Sequence, residues 1–148
     1  MIFISHRGNL NGVNLSKENH PDYILKALEK NFDVEVDVWF SKGKEILFLG
    51  HDKPQYKTDI DFLKNDKLWC HAKNVDALNL MLKEKIHCFW HQEDDVTLTS
   101  KGYIWTYPNK PLTNKSICVL PETDNQNFEG CAGVCSDYIE QYKKHIIG

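Results

Sequence analysis

The chain has 148 residues, a net charge of −3 and 41% hydrophobic residues, as expected for one globular domain spanning 1–148. The basic excess of a nucleic-acid binder is missing, and no apolar run approaches the roughly 18 residues that a membrane helix needs, so neither nucleic acid nor stable membrane insertion is expected. The opening MIFISHRG lacks the regions of a secretory signal. The five irregularly spaced cysteines, Cys70, Cys88, Cys118, Cys131 and Cys135, read as reduced thiols in a cytoplasmic protein.

In chain order, eight β-rich runs are predicted: IFISHR (2–7), FDVEVDVWF (32–40), EILFLGHD (45–52), KLWCHAK (67–73), HCFWHQED (87–94), YIWTYP (103–108), SICVLPE (116–122) and AGVCSDY (132–138). Being apolar almost throughout, they suit a sheet covered on both faces. Helical spacing appears in 20–31, with Pro21 suited to a first turn. It recurs in 74–85, with Asn74 as N-cap, in the short 59–65 and in 137–147. Beyond Asp94 the connections are short, and PNKPLTNK (108–115) is a loop. SKGK (41–44) is too short to join parallel strands. A hairpin turning at Lys42 and Gly43 would set Glu35 across from Gly50 or His51.

Eight strands with interspersed helices predict an α/β fold, a compact (β/α)8 TIM-type barrel that has lost several outer helices from its second half. The helix-poor face near Phe89, Trp90, Ile104 and Trp105 would then need cover, which predicts a homo-oligomer.

Titratable groups gather at the ends of these runs: His6 and Arg7, Glu35 and Asp37, His51 and Asp52, His71 and Lys73, His91 with Glu93 and Asp94, Glu122, and Asp137. Glu35 and Asp37 are two apart and share one face of a strand. Two buried carboxylates side by side repel unless a cation or proton lies between them, and an oxygen-ligated Mg²⁺ or Ca²⁺ answers that need. The same alternation also fits a half-buried strand with Val34, Val36 and Val38 inward and both acids in solvent.

His-Arg-Gly after the first strand, Glu-Asn (18–19), Glu-Val-Asp (35–37), His-Asp (51–52) and the terminal Cys-Ser-Asp (135–137) occur in this order. Together they resemble the glycerophosphodiester phosphodiesterase family, of the phospholipase C-like phosphodiesterase barrel superfamily. The likeness covers residues 4–73 and 130–139. It implies catalytic histidines at His6 and His51, phosphate-binding cations at Arg7 and Lys73, metal ligands at Glu35 and Asp37, and a further carboxylate at Glu18. The family's third metal-binding Glu is here His71, which puts the identity of the divalent metal in question.

A phosphodiester repels nucleophiles, so its cleavage calls for charge neutralisation and proton transfer at both the entering and leaving oxygens. The resemblance implies a metal-dependent hydrolase of a small glycerophosphodiester-like substrate. In it a neighbouring hydroxyl attacks first, and water then opens the cyclic phosphate. A related lipid head-group phosphodiesterase or lyase, and a non-catalytic phosphate-binding barrel, are the alternatives.

Overall fold

The computed structural model describes all residues, 1–148. Strand β2 (Asp33–Ser41) is the hub. Its N-terminal half pairs in parallel with β1 (Ile2–His6) on one side and with β5 (Leu68–Ala72) on the other. From there the sheet runs on in parallel, through β5 to β6 (Cys88–Phe89) and through β1 to β10 (Gly133–Ser136), β9 (Ser116–Val119) and β8 (Ile104–Thr106). The C-terminal half of β2 turns into an antiparallel hairpin with β3 (Ile46–Leu49), which is extended by β4 (Tyr56–Thr58). Strand β7 (Val96–Leu98) pairs antiparallel with β8.

The ten strands form one mixed sheet curled into a half-barrel, which corrects the expected (β/α)8 barrel. Eight predicted runs do carry strands, yet closure fails for two local reasons. The hairpin diverts β3 out of the parallel series, and the two-residue β6 is followed by the reversed β7. No ladder joins β6 to β7 or β8. Single bonds bridge the gap, from the Ser100 amide to the Cys88 carbonyl and from Thr97 Oγ1 to the Trp90 carbonyl, each 2.8 Å.

Four short helices form where the periodicity places them: α1 (Pro21–Glu29), α2 (Ile60–Leu63), α3 (Val75–Lys83) and α4 (Ile139–Ile147). None is long and apolar enough to cross a membrane. Asn74 caps α3 through a 2.9 Å bond from the Ala77 amide, and its side chain also clasps the backbone of Phe40. Helices α1 and α3 bury Ile24, Ala27, Ala77 and Met81 against Val34, Val36 and Val38 on the convex face. Helix α4 closes Ile139 on Phe3, Phe32 and Val134.

The concave face is a second core, of Ile4, Trp69, Phe89, Trp105, Ile117, Val119 and Cys135. Phe89 and Trp105 are therefore buried within the chain, and the large apolar side chains left exposed in the helix-poor half are Val96 and Leu98 on β7. The hairpin register also differs from expectation. The turn spans 42–45, with Glu45 at φ 54°, so Ser41 pairs with Ile46, and the Gly50 amide donates to Asp37 rather than facing Glu35.

His87 sits in the aromatic end of the concave core, 4.3 Å from the Trp69 ring centroid, with Nε2 2.8 Å from Thr99 Oγ1. Burial, helped by the charge of Lys101, pushes its imidazole down to about 4. Since the unfolded chain would take up the proton near 6.5, stability is fully present above that pH and drains away as pH falls towards 4. The drop in melting temperature between pH 7 and pH 4.5 should therefore be smaller in His87→Gln than in the native chain.

Candidate active site and metal centre

Both faces of β2 are buried, and this places its acids. The valines fill the convex core, while Glu35 and Asp37 point into the concave face at 2% and 0% exposure. The solvent-facing alternative for the pair is thereby overturned. Parallel register sets His6 of β1 beside Glu35, and His71 of β5 beside Asp37. Four titratable side chains thus meet where the C-terminal ends of β1 and β5 flank the N-terminal half of β2.

The chain leaves β1 through two left-handed residues, Arg7 (φ 58°) and Gly8 (φ 94°). This turn brings Arg7 back over the carboxylates, with Nε 3.2 Å from Asp37 Oδ2 and one terminal nitrogen 3.1 Å from Glu18 Oε1. It also drops Asn9 beneath the site, where the side-chain amide donates to Glu18 and Asp137, each at 2.8 Å. Asn19 clamps Asp37 twice, donating to Oδ2 and accepting from the Asp37 amide, both at 2.9 Å.

His6 lies between two acids. Nδ1 is 2.7 Å from Asp137 Oδ1, and Nε2 is 3.8 Å from Glu35 Oε2. Burial alone would raise Asp137, but the hydrogen bonds from His6 and Asn9, with the charges of His6 and Arg7, hold it below the usual carboxylate range. An ionised carboxylate only accepts, so Nδ1 of His6 is the donor and Nε2 is left to face the cleft. For His6, burial lowers the basicity, but Asp137 and Glu35 outweigh it and the net shift is upward.

The buried pair itself splits. Burial and the neighbouring Asp37 charge push Glu35 up. Asp37 also suffers burial, yet its contacts with His71, Arg7 and Asn19 hold it well below the ordinary value. His51 follows β3 on a loop fixed by a 2.7 Å bond from the Trp39 indole to the Gly50 carbonyl. Its Nδ1 is 2.7 Å from Asp52 Oδ1. Trp39 thus holds the histidine loop and does not line the cleft.

His6, Arg7, Glu35, His51, His71 and Lys73 line one cleft of about 280 Å³, walled by Trp105, Tyr107 and Leu120. A second lobe of about 190 Å³ shares Arg7 and His51 with it and is lined by Glu18, Asn19, Asp52 and Gln55. Of the eight site residues expected from the sequence, six line the main cleft, Glu18 lines the second lobe, and Asp37 lies beneath Arg7. A larger groove of about 530 Å³ lies against α4, lined by Glu122, Tyr138, Gln141, Tyr142 and His145. It brings no paired acids or free imidazole pair together, so the chemistry belongs to the smaller cleft.

Asn9 and the backbone of His91 were not legible as site residues. Asn9 directly follows the His-Arg-Gly motif, and that adjacency is the one signal that could have flagged it, while Asn19 stood in the Glu-Asn motif without its clamp on Asp37 being visible. Asp137 was visible as a strand-end acid and as the end of Cys-Ser-Asp, and the structure shows its partner. Glu122 stands one step further back, accepting from Ser136 Oγ at 3.0 Å and from the Asp137 amide at 3.1 Å.

Glu35, Asp37 and His71 each offer a ligand atom, all within 4.8 Å of one another. Glu35 Oε2 and Asp37 Oδ1 are buried without a hydrogen-bond partner, the first 3.8 Å from His6 Nε2 and the second 3.3 Å from His71 Nδ1. Buried carboxylates with unpartnered oxygens beside an imidazole nitrogen fit a divalent cation. No family model, curated protein or solved structure matches the chain.

A β-carbon at Gly8 would meet Tyr23 Cδ2 at 2.5 Å, on a backbone that L-residues rarely adopt. Gly8→Ala should cost roughly 1–3 kcal/mol in urea unfolding. Gly43→Ala, whose added methyl meets nothing within 4 Å, should cost about 0.5 kcal/mol or less.

Proposed function

We propose that the protein is a metal-dependent phosphodiester hydrolase acting on a small, soluble glycerophosphodiester. The observation that carries this reading is the pairing of two imidazoles with carboxylates on their Nδ1 sides, His6 with Asp137 and His51 with Asp52, at one cleft that also holds Arg7 and Lys73. Resemblance to the glycerophosphodiester phosphodiesterase family supports the same substrate class.

The phosphate binds at the waist where the two lobes meet, against the Arg7 guanidinium, with Lys73 neutralising its charge from the larger lobe. Each lobe then takes one alcohol arm. A divalent cation at Glu35, Asp37 and His71 would supply further charge neutralisation. His6, whose basicity is raised and whose tautomer is set by Asp137, takes the proton of the substrate's neighbouring hydroxyl as that oxygen bonds to phosphorus. His51, at the mouth with Asp52 behind it, gives a proton to the departing alkoxide as the old phosphorus–oxygen bond breaks. Water then opens the cyclic phosphate by the same exchange in reverse: His51 removes the water proton and His6 returns one to the ring oxygen.

The lack of a helix able to cross a membrane suits a soluble diester. Four of the five free cysteines are buried, which fits a reducing compartment, and the cytoplasm is the proposed site of action.

His6→Ala and His51→Ala should each lower hydrolysis of glycerophosphocholine by about 10²- to 10⁴-fold, with circular dichroism unchanged. Asp137→Asn should lower kcat and move the acidic limb of the pH–rate profile to lower pH, because His6, the base, loses the anionic partner that raises its pKa. Native-like rates in either histidine variant would end the assignment.

A further inference from the structure

His71 is held differently from the other groups around the buried acids. Its Nε2 lies 2.8 Å from the main-chain carbonyl of His91. A carbonyl only accepts, so Nε2 carries the ring proton and Nδ1 of the neutral imidazole presents a lone pair. That nitrogen is 3.3 Å from Asp37 Oδ1 and 3.9 Å from Glu35 Oε1. In the neutral ring three electron-rich atoms therefore face one another at the floor of the cleft, and Asp37 Oδ1 has no hydrogen-bond partner. A cation between them resolves the arrangement.

The carbonyl that sets this tautomer is itself fixed. The 90–95 loop crosses the open side of the half-barrel, where His91 Nε2 closes on the Asp94 carbonyl at 2.5 Å. The Tyr107 hydroxyl donates to the Gln92 carbonyl, and the Tyr107 amide bonds to the Asp95 carbonyl at 2.9 Å. The His71 ring also lies nearly parallel to Phe89, 15° between planes at 5.0 Å, so it is packed as well as bonded.

Mg²⁺ and Ca²⁺ favour all-oxygen ligand sets, whereas imidazole suits the borderline first-row metals. We propose that the Glu35, Asp37 and His71 site selects a borderline dication such as Fe²⁺, Co²⁺ or Zn²⁺ over Mg²⁺ and Ca²⁺, with the His91 carbonyl as the positioning group that presents Nδ1 of His71. The proposal deepens the hydrolase reading and takes from it that this cluster is the metal site.

Its test needs no turnover. The full chain, stripped of metal, is titrated with Co²⁺ and with Mg²⁺ by calorimetry, and its Mn²⁺ complex is examined by pulsed electron paramagnetic resonance for coupling to an imidazole nitrogen. The native chain should bind Co²⁺ more tightly than Mg²⁺ and show the nitrogen coupling. In His71→Glu the coupling should vanish and the Co²⁺-over-Mg²⁺ ratio should fall by about 10- to 100-fold, the usual weight of a metal site's directing groups. Absence of nitrogen coupling in the native complex, or an unchanged ratio in His71→Glu, overturns the selectivity. If the variant does not fold, the coupling in the native complex decides alone. Loss of diester cleavage with the coupling intact would overturn the hydrolase reading and leave the metal assignment standing.

Discussion

Two carboxylates buried side by side on one strand are the constraint from which the rest of this molecule follows. Glu35 and Asp37 are nearly inaccessible to water, and charges taken out of water are costly unless paired or neutralised. The surrounding fold supplies positive charge and donors from every side: Arg7 through a left-handed turn, Asn19 from the first loop, His6 from β1 and His71 from β5. Even so, two carboxylate oxygens remain without a partner. A protein selected for stability alone would more readily fill such a place with apolar side chains. The residual demand for positive charge is the strongest physical reason to read the cluster as functional.

The half-barrel serves this constellation by leaving its concave face graded. Trp69, Phe89 and Trp105 pack together as its aromatic part, with Phe89 against His71 and Trp105 on the cleft wall, and polar groups line the cleft. The side left without a ladder between β6 and β7 is bridged by the 90–95 loop, whose backbone reaches His71. Incomplete closure thus places a main-chain carbonyl where a closed ladder would have used it between strands. Trp39 makes a similar contribution on the other side, bonding the loop that presents His51.

Much of this was legible in the residues. Helices α1 and α3 follow from apolar spacing and from Pro21 and Asn74, and the strands from β-branched and aromatic runs. Architecture was not, because strand number does not decide closure. YKT (56–58) and VTL (96–98) are too short to announce β4 and β7, and the diverted β3 with the reversed β7 separates a half-barrel from a barrel. The hairpin register slipped by two residues because Glu45 adopts a left-handed conformation that glycine normally takes, lengthening the turn. At the site, the side chains proposed to bind phosphate and move protons were visible through their motifs. Asn9 was not, since an amide that satisfies a buried acid looks like any loop amide until the chain is folded. The role of His91 lies in its carbonyl, which no side-chain pattern encodes.

The central claim is that a cation held by the buried acids, together with the two imidazoles, cleaves a phosphodiester. Its most direct test is the rate of release of p-nitrophenol from bis(p-nitrophenyl) phosphate by the purified chain, before chelation, after it, and after divalent metal is restored. Hydrolysis that disappears on chelation and returns with metal is the predicted result. Hydrolysis indifferent to chelator, or none under any metal, would contradict it.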